Sequence, residues 1–344
     1  MSIYKSLALA LALAVTSVFA DQVVLKDGHP DRYVVVKGDT LWDISARFLE
    51  KPWLWPEIWY VNPQIENPHL IYPGDVIKLV YVDGKPQLRV QRGKATIKLS
   101  PRARAERLDK AIPTIPIDAI QQFLSRPLVV DKDELAKAAY VVSSAGEHLI
   151  TGAGDRIYVR NLTDEGYTRF NAFRPGDTYT DPATGEILGY EAIYLGDGNI
   201  ERFGDPSTIR LIRTTREVNI GDRVLPITRE DAQPYFQPHA PATDLDGTII
   251  SVLDGVSQIG QYQIVVLNRG TREGVDVGTV LAVHQTGELI ADQVSEEKNA
   301  VVRLPDERAG LLMVFRTFDK VSFGLVMKAT SALHVGDKVR SPDL

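Results

Sequence analysis

The side chains best suited to chemistry in this 344-residue chain are its four tryptophans, Trp42, Trp53, Trp55 and Trp59, which fall within eighteen residues of one another. Three of them stand in the run KPWLWPEIWY (51–60). Indoles at this density make either a flat platform on which sugar rings stack or the core of a very small domain. Hydrolytic and redox chemistry find no comparable set. The chain has no Cys, so a cysteine nucleophile is excluded. Its six His (29, 69, 148, 239, 284 and 334) are scattered singly, without the clustered spacing a zinc peptidase needs. Gly255-Val256-Ser257-Gln258-Ile259-Gly260 is one residue too long for a nucleophile elbow. Thr151-Gly152-Ala153-Gly154 lacks the third Gly and the helix of a dinucleotide site. Glycan cleavage needs a general acid in a cleft of a sizeable domain, and no block reads as an α-rich lytic unit. No enzymatic activity, metal or cofactor is expected.

Bulk properties narrow the class further. The length predicts two or three domains. Residues 1–20 carry Lys5, an apolar Leu/Ala run and Val18-Phe19-Ala20, the pattern of a secretory signal peptide cleaved after Ala20. Without Cys the exported chain has neither disulfide nor lipid-attachment cysteine, and the periplasm is the expected address. Net charge is −6, and −7 once Lys5 is removed, which gives no support to nucleic acid as a partner. Against that balance, Lys/Arg at 85, 89, 92, 94, 98, 102, 104, 107 and 110 form a basic strip, read either as a solvated linker and strand face or as a surface for an anionic partner.

The elements that must position the tryptophans can be read from local chemistry. YVVV (33–36) is strand-like. Thr40 then caps a helix, with Asp43 three residues on and Leu41, Ile44 and Phe48 on one face. A second helix is expected from Pro56 towards Asn62-Pro63. Tyr72-Pro73-Gly74-Asp75 has the composition of a type II turn, and VIKLVYV comes next as a strand. So small a unit, lacking disulfide and metal, needs large apolar side chains inside. Trp55 and Trp59 are therefore expected to be buried, with Trp42 and Trp53 partly exposed.

These residues carry a resemblance. YVVVKGDTLWDISARFL followed by NPQIENPHLIYPGDVIKL is similar to a LysM domain, matching at Gly38-Asp39-Thr40-Leu41, Ile44, Asn62-Pro63, Asn67-Pro68, Leu70-Ile71 and Pro73-Gly74-Asp75. The Trp-rich connector is longer and more aromatic than the minimal pattern. The resemblance implies binding of N-acetylglucosamine-containing peptidoglycan in a shallow groove between two loops. Carried onto this chain, the groove residues are Gly38, Asp39, Thr40 and Leu41 on one side and Asn67, Pro68, His69, Leu70 and Ile71 on the other. Such loops offer backbone N–H and C=O groups to acetamides and an apolar floor to the methyl.

Beyond Asp83-Gly84 the pattern changes. Pro113 and Pro116 favour an extended connector, and Asp118 opens a short helical stretch with Ile120, Phe123 and Leu124, apolar enough to be docked. Strand-like runs then come in two blocks: YVVSS, RIYVRNL, YEAIYLG, TIRLIRT and RVLPI, then DGTIISVL, YQIVVLNRG, GTVLAVH, AGLLMVFRTF and FGLVMKAT. Gly-Asp recurs with Gly at 38, 74, 154, 176, 196, 204, 221 and 336, read as turn chemistry. The expected fold class is multidomain α+β: a small βααβ LysM domain followed by predominantly β domains of barrel or sandwich type. Expected segments are 1–20 signal peptide, 31–82 LysM, 83–134 connector, 135–230 β-rich domain, 231–243 linker and 244–342 C-terminal β domain.

Over most of its length, through LSPRARAERLDKAIPTIPIDAIQQFL and LNRGTREGVDVGTVLAV, the chain resembles the type IV pilus secretin-associated protein family, whose C-terminal half is related to the C-terminal domain of a flagellar assembly protein. That resemblance implies a non-catalytic periplasmic adaptor that grips peptidoglycan and anchors or aligns an outer-membrane secretin. A general cell-envelope scaffold, or a regulator of peptidoglycan hydrolases, is the alternative.

Overall fold

The computed structural model describes residues 23–59, 70–91, 111–124, 129–146, 150–163, 166–227, 236–253, 258–292, 294 and 300–342. The expected signal segment, the basic strip from Arg92 to Lys110, and Asn67, Pro68 and His69 lie outside the described residues.

The N-terminal unit is a three-stranded antiparallel sheet with two helices. Its elements are β1 (Arg32–Val34), α1 (Leu41–Phe48), a 3-10 turn at Pro52–Leu54, α2 (Trp55–Ile58), β2 (Val76–Val82) and β3 (Lys85–Gln91), with β2 in the centre. Two expectations need correction. The second helix stops at Ile58, because Trp59 turns extended and bridges to Leu88 of β3 instead of continuing towards Asn62. β3 itself lies where a connector was expected: the Asp83-Gly84 turn, with both residues at positive φ, folds Lys85–Gln91 back along the whole of β2.

A connecting segment, α3 (Ile117–Leu124), β4 (Val129–Val130) and α4 (Lys132–Lys137), leads to the first barrel. This comprises β5 (Ala139–Ser144), β6 (Arg156–Arg160), β7 (Arg169–Thr180), β8 (Ile187–Arg202), β9 (Ser207–Thr214) and β10 (Arg223–Pro226). The strand order is β4-β8-β7-β10-β5-β6-β9, and a further β8–β9 pairing joins β5 to β10 in a ring, leaving β4 outside it. β7 escapes sequence reading because Pro175-Gly176-Asp177 has turn composition. It makes a register shift within the long β7–β8 ladder, where a Cβ on Gly176 would clash with the Glu191 carboxylate.

The second barrel contains β11 (Asp246–Leu253), β12 (Ile264–Leu267), β13 (Val280–Gln285), β16 (Glu307–Thr317), β17 (Ser322–Ala329) and β18 (Lys338–Arg340). They close in the order β11-β12-β17-β16-β13-β18. Between β13 and β16, β14 (Leu289–Ala291) and β15 (Val301–Arg303) form a separate hairpin. The fold is thus a small α+β unit followed by mostly β domains of the barrel type.

One apolar cluster joins these parts. Along β12, Val265 and Leu267 face the barrel interior, whereas Ile264 and Val266 belong to a cluster holding all four tryptophans, Ile112, Ile115 and Phe236. β12 is consequently buried along its whole length, so its sequence IVVL shows no alternation. Phe236, expected in a linker, is 2% exposed in this cluster. The two barrels meet through the LNRGTREG segment. Asn268 Nδ2 donates to Asp181 Oδ2 at 2.8 Å, and Arg272 reaches both Glu186 oxygens at 2.9 and 3.2 Å. Burial, the largest influence on Asp181, pushes its pKa up. The amides of Ala183 and Thr184, with Asn268 and Arg269, outweigh burial and hold the carboxyl below its ordinary value.

Candidate glycan-binding cleft

The loop entering α1 is built by a four-residue turn, Val36–Asp39. Gly38 sits at φ +98, Asp39 N–H donates to Val36 O at 3.2 Å, and Asp39 Oδ2 accepts from Val36 N–H at 2.9 Å. Tyr33 OH donates to the same Oδ2 at 3.0 Å. Burial first, and then this bond to Asp39, raise the Tyr33 phenol above its ordinary pKa. Thr40 Oγ1 accepts the Asp43 amide at 3.1 Å and donates to Asp43 Oδ2 at 2.8 Å, which fixes the helix start.

The same turn recurs at 72–75, 152–155, 219–222 and 334–337, each with Gly at φ between +91 and +101 and an Asp oxygen accepting the first amide. Asp276–Thr279 repeats it with Gly278 at φ +103 and the Thr279 hydroxyl as acceptor. Gly260–Gln263 repeats it again: Gly260 N–H donates to Gln263 Oε1 at 2.6 Å, and Gln263 N–H to Gly260 O at 3.4 Å. In that turn the left-handed position is held not by Gly but by Tyr262, at φ +65. Apart from 36–39, which opens α1, every one of these turns leads directly into a strand. The turn reading of Gly-Asp therefore holds at 38, 74, 154, 221 and 336, whereas Gly176 and Gly196 sit inside β7 and β8.

Residues 111–115 lie as a strap between the described ends of the two loops: Ile112 N–H donates to Ile71 O at 2.8 Å, and the Leu41 and Trp42 amides donate to Pro113 O at 3.0 Å and Thr114 O at 3.1 Å. The first amides of α1, which have no partner within a helix, are thus satisfied by the strap and by Thr40. Ile112, Thr114 and Ile115 are buried, and Phe236 N–H donates to Thr114 Oγ1 at 3.4 Å. Further on, Arg316 Nη1 of β16 donates to Phe123 O at 2.7 Å near the end of α3.

Of the expected site residues, Gly38 is exposed, Asp39 is half-buried and Leu70 is 39% exposed. Thr40, Leu41 and Ile71 are buried, and the Leu41 amide and Ile71 carbonyl are engaged by the strap. Asn67, Pro68 and His69 are outside the described residues. Trp55 and Trp59 are buried as expected, in edge-to-face contact with centroids 5.8 Å apart. Trp42 and Trp53 are not partly exposed: they are 4% and 2% exposed, because they enter the cluster that continues into the strap and the second barrel.

Beside the strap a cleft of about 670 Å³ remains open, within the range of small-ligand sites. One wall is the turn from Lys37 to Thr40 with Asp43 and Pro73. A second is the strap and the start of α3, Ala111–Pro113 and Pro116–Asp118. Tyr262 of the second barrel completes it, with its hydroxyl 3.4 Å from Asp43 Oδ1. Burial, then the Asp43 carboxylate, raise the Tyr262 phenol above its ordinary pKa, so it remains a donor. Carboxylates of Asp39, Asp43 and Asp118 face an apolar lining of Pro and Ile, the composition of a site for a hydroxyl-rich ligand with apolar faces. The strap and Tyr262 were missed from sequence; the only signal was a Tyr where the recurring turn carries Gly.

Residues 33–80 match the LysM domain family. A stretch of 60 residues is 38% identical to the protein named "Uncharacterized protein YqbP" of Bacillus subtilis (strain 168), covering 14% of this chain and 27% of that protein. Among the described residues no helix is long and apolar enough to cross a membrane. Residues 33–80 are a LysM domain, which implies peptidoglycan binding and suggests the cell envelope.

Proposed function

We propose that the chain is a non-catalytic periplasmic adaptor that holds peptidoglycan through its LysM unit and anchors or aligns an outer-membrane secretin of the type IV pilus machinery. The observation that carries the binding half is the cleft beside the Lys37–Thr40 turn, which pairs hydroxyl-binding carboxylates with apolar walls on a LysM domain. The assembly half rests on the resemblance of the motifs at 99–124 and 267–283 to the secretin-associated family. The second of these motifs ties the two barrels together, so the resemblance falls on residues that build the molecule's junction. A protein-facing surface is available on the β14–β15 hairpin, where Leu289, Val301 and Val302 are 62%, 66% and 46% exposed.

Two measurements test this reading. The intact chain should co-sediment with purified sacculi without releasing muropeptides; released muropeptides would overturn the non-catalytic assignment. Crosslinking in the envelope, with partners identified by mass, should recover the secretin. Recovery of an amidase instead would favour a hydrolase regulator, and normal pilus extrusion without the protein would end the assembly role.

A further inference from the structure

We propose that Tyr262, supplied by the second barrel, is a glycan-contacting residue, so that the sugar site is shared between the LysM domain and the C-terminal barrel. This inference rests on the peptidoglycan-binding reading and extends it to the ligand's chemistry: an uncharged, N-acetylated amino-sugar oligomer.

Three observations converge on Tyr262. The first is conformational. Among the described residues, the turn with a positive φ at its third position and a side chain bonding back to its first amide occurs seven times. Gly fills that position in six of them. A bulky L-residue is disfavoured there, and Gly serves the turn better. The single exception is the turn facing the LysM loop. A fold that keeps Tyr at a glycine position keeps it for its side chain.

The second observation is the supply of aromatic rings. Sugar binding favours a flat ring against the C–H face of a pyranose. All four indoles are buried, at 1% to 8% exposure, and offer no such face. Among the described residues, Tyr262 is the aromatic residue that lines the cleft, and at 37% exposure it is open enough to meet a ligand.

The third is charge. Among the described lining residues, Asp39, Asp43 and Asp118 outnumber Lys37. Carboxylates accept hydrogen bonds from sugar hydroxyls, but their excess opposes a ligand carrying its own carboxylates. Carboxylate-bearing stem peptides are therefore disfavoured, and the uncharged N-acetyl sugar face is preferred.

The alternative role for Tyr262 is adhesive: its hydroxyl bonding to Asp43 would merely hold the barrel against the LysM unit. Tyr262→Gly and Tyr262→Phe separate the two in the intact chain. Titration with a β-1,4-linked N-acetylglucosamine tetramer is followed by calorimetry, and thermal unfolding is recorded alongside. Tyr262→Gly should weaken tetramer binding about tenfold or more while leaving the unfolding midpoint unchanged or raised by a few degrees, because the turn relaxes. Tyr262→Phe keeps the ring and should bind within about threefold of the parent. If Tyr262→Gly binds the tetramer as tightly as the parent, or if Tyr262→Phe loses as much as Tyr262→Gly, this inference is overturned and the peptidoglycan reading stands. If the parent chain binds neither tetramer nor sacculi, both fall together.

Discussion

The strap between the LysM loops makes a claim about energetics that one substitution can test. Ile115 is fully buried, and its backbone lies immediately after the two carbonyls that accept the Leu41 and Trp42 amides. Replacing it with Ala removes most of the side chain from a packed cluster, which costs about 2–5 kcal/mol depending on how far the site collapses. That loss falls on the docked strap, because the Thr40 cap and the helix's own bonds do not involve it. Amide exchange reads the effect residue by residue. Leu41 and Trp42 exchange when the strap lifts, so weakening it by about 2 kcal/mol should speed them about 30-fold. Asp43, held by Thr40 Oγ1, and Leu49, held by Ser45 O, should change far less. If Leu41 and Trp42 keep their parental rates, the strap does not cap the helix in solution. If all four amides accelerate equally, strap and helix unfold as one unit, and the idea of a separable strap is wrong.

Trp55→Ala, at a residue 1% exposed, should destabilise the N-terminal unit by about 3–5 kcal/mol and abolish its near-ultraviolet circular dichroism, leaving the barrels folded. Gly74→Ala meets no atom within 4 Å, yet Gly74 lies at φ +95; the backbone alone should cost about 1–2 kcal/mol, seen as a lower urea midpoint for that unit. The Glu186 carboxyl, held by Arg272 and then Lys320, is lowered to about 2 from an ordinary 4.5. A depressed folded-state value means its contribution to the barrel junction is complete above about pH 4.5 and is lost as pH falls towards 2. Crosslinking between the barrels should track that window, weaken with salt, and lose part of its pH dependence in Glu186→Gln, the remainder resting on Asp181.

The legible parts of the molecule are those decided within a few residues. Thr40 and Asp43 announce the start of α1, and Pro73-Gly74-Asp75 announces the turn into β2, because caps and turns depend on φ preferences and side-chain bonds to nearby amides. The same local chemistry led to the strands after Gly154 and Gly221. Illegible features came from distant partners. β7 looked broken at Pro175-Gly176-Asp177, but its ladder with β8 absorbs the irregularity as a register shift. β12, β16 and β17 carry apolar residues on both faces, because their outer faces join the cluster shared with the LysM tryptophans.

The candidate site divides along the same line. Gly38, Asp39 and Thr40 were found from sequence because one turn and one cap make them. That Ile112, Pro113 and Thr114 bond to Ile71, Leu41 and Trp42, and that Tyr262 closes the neighbouring cleft, depends on contacts about 40 to 220 residues apart along the chain, which no local pattern encodes. Sequence alone therefore determined the LysM unit and the β character of the domains C-terminal to it, through short-range propensity and motif spacing. Tertiary packing alone decided what lies between the loops, that the Tyr262 ring lines the cleft, and that Trp42 and Trp53 join Trp55 and Trp59 in the core. Burial is a property of the whole chain's collapse and not of any one segment of it.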